Sequence, residues 1–185
     1  MATLPQKVMK IIGQIISEDF YPPEVIKTPS KAHLGAMFIM IYDAKWKDIL
    51  EFWDALPLFV LIGKGADRWM GLNLHYLPYT WRVAIAKRLM TMYASKKRIQ
   101  YKDVLKAIQS AKVPEGYLYL CIRTYLYNRI RSDVWEFNRM NYEEMIKNVM
   151  PKFKKAGEEY IYKTLLSRFY TKIGGVNQKK RNKSK

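Results

Sequence analysis

Five carboxylates fall within one short stretch of the chain, at Asp43, Asp48, Glu51, Asp54 and Asp67, with Lys45, Lys47 and Lys64 among them. A magnesium-dependent nuclease needs two or three acidic groups on one cation, often with a lysine beside the attacking water. Asp43, Asp54 and Asp67 are the candidates for that role. Their spacing does not follow the Asp, then Glu-x-Lys, arrangement of such enzymes. Aspartates also close turns through side-chain to backbone hydrogen bonds, and that reading suits Asp43 and Asp54 better. The two histidines, His33 and His75, stand outside any spaced ligand cluster, and no H-E-x-x-H, paired cysteine or serine elbow occurs. His75 reads as a hydrogen-bonded structural residue beside Pro78. Gly63-Lys64-Gly65 lacks the second glycine and the Lys-Ser/Thr pair of a phosphate loop, so a hairpin turn explains it. The sequence assigns no catalytic residue, no metal ligand and no cofactor, and the expectation is a protein that is not an enzyme.

Charge points elsewhere. Lys and Arg number 33 against 16 acidic residues, a net charge of +17. Solubility alone asks for a net charge of roughly 2 to 8 on a small domain, so an acidic partner is expected, nucleic acid first. The cations gather at Arg82, Lys87 and Arg88; at Lys96, Lys97 and Arg98; at Arg123, Arg129 and Arg131; at Lys152, Lys154 and Lys155; and in the last residues at Lys179, Lys180, Arg181, Lys183 and Lys185. Rows four apart, with Tyr119, Arg123, Tyr127 and Arg131 beside Leu118, Ile122, Leu126 and Ile130, predict a helix over Tyr117 to Arg131. Such a row can set guanidinium groups on phosphates and a tyrosine on sugar or base. The competing reading is a solvated face, or Tyr119 and Tyr127 in the core with the arginines paired to Glu136, Glu143 or Glu144. No base-reading motif is visible, so the expected ligand is nucleic acid bound without sequence preference.

The elements that must position these groups form an α+β chain. Hydrophobic residues are 49% of the sequence and aromatics 14%, enough for one core in 185 residues. The single Cys121 excludes an internal disulfide and suits a reducing compartment, where it reads as a small buried hydrophobe. The start has no separated charged and apolar regions of a signal peptide, and no apolar run approaches a membrane span. Apolar spacing predicts a helix from Pro5 to Ile16. Strands are expected over Ala36 to Tyr42, Leu58 to Ile62 and Arg68 to Tyr76, the first two apolar on both faces and the third alternating. Helices are expected over Tyr79 to Ser95, Tyr101 to Ser110, Tyr142 to Met150 and Ala156 to Ile173, with Gly174-Gly175 ending the last. In the helix from Tyr79, Trp81, Ile85, Leu89 and Met92 make the apolar stripe, with Arg82, Lys87 and Arg88 away from it. The expected architecture is a small antiparallel β-sheet of about three strands (36–76) packed with a mainly α-helical body. It forms one basic domain over 1–175, with a sheet region 36–78, a helical region 79–173 and a flexible basic tail 176–185.

One segment carries a family resemblance. Tyr42-Asp43-Ala44-Lys45-Trp46-Lys47, then Trp53-Asp54 and Pro57-Leu58, resembles a pattern in small virion proteins of large contractile-tailed, T-even-like bacteriophages. A second block follows at Gly71, Asn73, His75, Tyr76, Leu77 and Pro78, with Arg82 beyond it, and a weaker third at Arg123, Tyr125-Leu126 and Arg129 to Ser132. Three positions depart from the pattern: Ala44 and Glu51 where proline is usual, and Leu56 where phenylalanine is usual. The resemblance implies head completion or protection of packaged DNA ends, with double-stranded DNA near the portal and neck as partner. It brings no catalytic residue.

The resulting expectation is a non-enzymatic virion protein, present in the host cytoplasm during assembly. It would bind packaged DNA or its end through Arg82, Lys87, Arg88, Lys96, Lys97, Arg98, Arg123, Arg129, Arg131, Lys179, Lys180 and Arg181, with portal, neck or tail subunits as neighbours and no membrane contact. The alternatives are a purely structural neck, tail or baseplate adaptor whose basic face meets acidic subunits, and a metal-dependent nuclease.

Overall fold

A computed structural model describes residues 23–28, 31–95 and 99–181, with side chains described as far as Thr171. The helix expected over Pro5 to Ile16 and the cluster Lys96, Lys97 and Arg98 lie outside the described residues.

The three expected strands are present as β2 (Met37–Ile39), β4 (Leu58–Lys64) and β5 (Arg68–Asn73), but they are only the middle of the sheet. Two short strands, β1 (Glu24–Val25) and β7 (Trp135–Phe137), extend one side, and β6 (Ile122–Leu126) extends the other. The order is β1-β7-β2-β4-β5-β6, six strands with every pairing antiparallel. A separate pair joins β3 (Trp53–Asp54) to β8 (Phe153–Lys154). The expectation of about three strands is thus corrected to six in the main sheet.

The largest correction concerns Tyr117 to Arg131. A helix α3 (Glu115–Cys121) does begin there, but it stops at Cys121 and the chain becomes β6. Ile-Arg-Thr-Tyr-Leu is rich in β-branched and aromatic residues, which fit a pleated surface. It pairs with β5 so that Arg123 stands opposite Gly71 and Tyr125 opposite Trp69. Tyr125 then packs on Phe59 with ring centroids 4.6 Å apart. Burying that ring outweighs the gain from continuing the helix, and the fourfold rows do not form a single face.

The two faces of the sheet bury different clusters. Met37, Ile39, Leu58, Val60 and Leu72 meet helix α1 (Tyr79–Ser95) through Ile85, Ala86 and Leu89, and helix α2 (Tyr101–Ser110) through Val104. Met145 and Ile146 of α4 (Tyr142–Asn148) join them. The other face carries Phe38, Phe59, Leu61, Trp69 and Tyr125, closed over by Tyr42 and Ala44 from the connection after β2. Gly71 is required by close approach on this face. A Cβ there would lie 2.4 Å from Phe59 Cδ2 and 3.0 Å from Tyr125 Cε2.

Helices α1 and α2 span the residues their apolar spacing predicts. The last helix, α5 (Glu158–Arg181), runs through Gly174-Gly175, where the sequence predicts a stop. Glycines weaken a helix by about 1 kcal/mol each without removing a backbone donor, as proline would. Phe169 of α5 packs on Tyr117 of α3 at 6.1 Å between centroids, which docks this helix on the body. Among the described residues, no helix is long and apolar enough to cross a membrane.

Candidate nucleic-acid groove

The segment between β2 and α1 holds its shape through side chains that bond across the fold. Tyr42 sits beside the outer edge of β6, where its hydroxyl accepts from Leu126 N at 3.2 Å and donates to the Thr124 carbonyl at 3.5 Å. Asp43 takes Lys47 at 2.9 Å, Arg131 at 3.5 Å and Arg129 at 3.8 Å. The lysine hydrogen bond chiefly holds its carboxyl below the usual carboxylate range. Asp54 is buried and fully engaged: Oδ2 bonds His75 Nδ1 at 2.7 Å and Asn73 Nδ2 at 3.1 Å, and Oδ1 accepts from Leu56 N at 3.0 Å. Burial alone would raise its pKa, but His75 and these donors outweigh burial and lower it. His75 Nε2 meets the Val149 carbonyl at 3.2 Å, so both ring nitrogens have partners. Asn73 Oδ1 accepts from His75 N at 2.9 Å and starts the single turn Leu74–Tyr76. Pro78 supplies the carbonyl to which Trp81 N and Arg82 N donate at the start of α1. Pro57 is buried at the entry to β4.

These contacts answer the nuclease question for the described residues. Asp43, Asp54 and Asp67 do not converge: the first serves three cations, the second serves His75, and Asp67 pairs with its neighbour Arg68 at 2.7 Å. No group of three or more acidic, histidine or cysteine side chains could hold a metal ion there. His75 is the structural residue that its sequence context predicts, with Asp54 as its partner. Cys121 is also buried, its thiol pushed up to about 12 by desolvation.

What the segment does build is a groove of about 1030 Å³ beside β6, lined by residues of both core clusters, Phe52 and Tyr76 from one and Tyr42, Ala44 and Tyr125 from the other. Its floor includes Asn73, Arg123 and Tyr125, and its walls are the 44–54 connection and the 126–129 turn after β6. Lys45, Arg68, Arg123, Arg129 and Arg168 line it, with Glu51, Asp54 and Asp67 as the carboxylates. Arg168 is tied to Glu51 and Arg68 to Asp67, whereas Lys45 and Arg123 have no ion-pair partner among the described residues. Arg123 is nonetheless fixed. Its guanidinium lies 4.2 Å from the Tyr76 ring centroid and donates to the Leu120 and Ile122 carbonyls at 2.6 and 2.9 Å. Lys45 lies 4.8 Å over the Trp46 ring, and that ring is 60% exposed. The Tyr125 hydroxyl is buried, with no well-aligned hydrogen-bond partner among the described residues. The Asn73 amide is close enough to oppose, in small part, the rise that burial imposes on its pKa.

The expected DNA-binding residues divide. Arg123 and Arg129 line the groove, and Arg131 stands beside it through Asp43. Lys87 and Arg88 are exposed on α1 and do not line the groove. Arg82 is corrected outright: it is buried, bonded to the Leu77 carbonyl at 2.7 Å, the His75 carbonyl at 3.2 Å, Glu158 at 3.0 Å and the Tyr162 hydroxyl. It clamps α5 to the start of α1 and cannot reach a phosphate. Lys96, Lys97 and Arg98 lie outside the described residues, as do the side chains of Lys179, Lys180 and Arg181. The groove aromatics Trp46 and Trp53 have no part in the binding set expected from sequence; the signal available is the alternation of Lys45, Trp46, Lys47 and Trp53.

The fold and site define a basic α+β protein with a groove that sets Arg123, fixed and without an ion-pair partner among the described residues, beside aromatic side chains. The family model described as Phage T4 terminal DNA protecting protein matches residues 2–169, and the chain belongs to that family. The family is one of DNA-protecting structural proteins and not of enzymes. No curated protein and no solved structure matches the chain.

Proposed function

We propose that this protein binds the ends of packaged double-stranded DNA in a tailed-phage virion and protects them by occupancy. One observation carries the reading: the segment that bears the family signature forms the wall of a cationic groove, with Arg123 and Lys45 free of ion-pair partners among the described residues. The family's description supplies terminal DNA as the object of protection. Protection needs no bond-making. A basic body seated over the end excludes an exonuclease sterically, and contacts to phosphates hold it there regardless of sequence. In the particle its neighbours would be portal, neck or tail subunits, and during assembly it would be in the host cytoplasm. The test is a labelled linear duplex challenged with a double-strand exonuclease at low salt. Added protein is expected to prolong the full-length species in proportion to occupancy. Unchanged digestion under saturating protein overturns the reading.

A further inference from the structure

We infer that the groove receives unpaired terminal nucleotides of one strand, with their bases against Trp46, Trp53 and Tyr127 and their phosphates on Lys45 and Arg123. This rests on the DNA-end reading above and specifies its ligand. A duplex offers phosphates on a broad convex surface, and its base faces are hidden in the stack except at the last pair. Aromatic side chains in a basic groove act on bases that have left the stack. The groove is of ligand size, at about 1030 Å³, near the upper range of roughly 300 to 1,000 Å³ for small-molecule sites. That suits a few nucleotides better than a helix.

Exposure agrees. Trp46 is 60% and Ile49 79% exposed at the rim, large apolar groups left in water beside cations. Arg123 is held in place by Tyr76 and two carbonyls, with no carboxylate paired to it among the described residues, so a phosphate meets a charge already in position. Frayed or overhanging nucleotides would satisfy both features. They would also explain how a protein without a base-reading motif distinguishes an end from the interior of a duplex.

The experiment measures binding to hairpin DNA closed at one end, by fluorescence anisotropy. The open end is either blunt or carries a four-nucleotide overhang, with total phosphates matched. The overhang is expected to bind about tenfold tighter, the scale of one stacked base. Trp46→Ala should reduce that advantage to about twofold, and Trp46→Phe, which keeps a ring, should retain most of it. Equal affinity for the two hairpins in the wild type overturns the inference, as does an advantage that survives Trp46→Ala or is lost equally in Trp46→Phe. A covalently closed circle that competes as well as the hairpins overturns instead the DNA-end reading itself.

Discussion

His75 shows how a single residue can resemble catalytic machinery and be structural. A histidine next to a carboxylate is a familiar acid-base pair, yet both side chains are inaccessible, at 0% and 1% exposed. Each atom that could act on a substrate is already bonded inside the fold. Its consequence is stability. Removing the imidazole leaves Asp54 buried without its main partner, and breaking a buried pair costs about 3–5 kcal/mol. His75→Ala should therefore lower the unfolding free energy by about that amount in urea titrations at neutral pH. The pH dependence follows from Asp54. Its folded pKa lies below the ordinary 3.8, so its contribution is complete above that value and fades as pH falls through the folded pKa. Wild type should exceed Asp54→Asn at pH 7, and the difference should narrow below about pH 4; a constant difference down to pH 2 would deny Asp54 this role. The histidine's structural part is legible from the absence of other ligands near it in sequence. Its partner is not, because Asp54 is brought to it by the β3–β8 pairing with a strand late in the chain. Arg82 is illegible for a related reason. Charged helix residues usually face water, and only α5, through Glu158 and Tyr162, turns this one into a buried clamp.

At the scale of elements, what sequence reveals is local. Helices α1 and α2 and strands β2, β4 and β5 have periodicity strong enough to read without tertiary knowledge. The strands added at the sides of the sheet are short or ambiguous, and their state depends on a partner. β7 is three residues long, and β6 contains side chains at helical spacing that nevertheless prefer the aromatic face of the sheet. The groove follows from that switch, since Arg123 reaches its floor only from a strand. β6 is the last strand of the sheet, so its outer edge needs covering. Tyr42 does this with one hydroxyl that both accepts from Leu126 N and donates to the Thr124 carbonyl. Tyr42→Phe keeps the ring, whose centroid is 5.1 Å from that of Tyr125, and removes only those bonds. The expected cost is about 0.5–1.5 kcal/mol, with faster amide hydrogen exchange at Leu126 and little change at Trp69. Unaltered exchange at Leu126 would show that the edge is covered by something else.

For the whole molecule, the question is what the charge of +17 does. Composition establishes the excess but does not say which side of the fold presents it. Two described groups of cations stand apart: Lys87 and Arg88 are exposed on α1 and do not line the groove, whereas Lys45, Arg123 and Arg129 do. Net charge steers any polyanion from a distance, whereas counterion release counts only the cations that touch phosphate. The two effects separate in matched variants. Lys45→Gln with Arg129→Gln removes two charges from the groove, and Lys87→Gln with Arg88→Gln removes two from the helix face, so the long-range field changes equally. For duplex DNA the plot of log affinity against log salt should flatten by roughly 0.9 for each phosphate that is no longer neutralised. The groove pair is expected to flatten it by nearly two units and the helix pair hardly at all. If both pairs flatten it equally, the DNA-binding surface extends around the molecule and the groove is one part of a general basic coat. If only the helix pair does so, DNA lies on α1 and the groove serves another ligand.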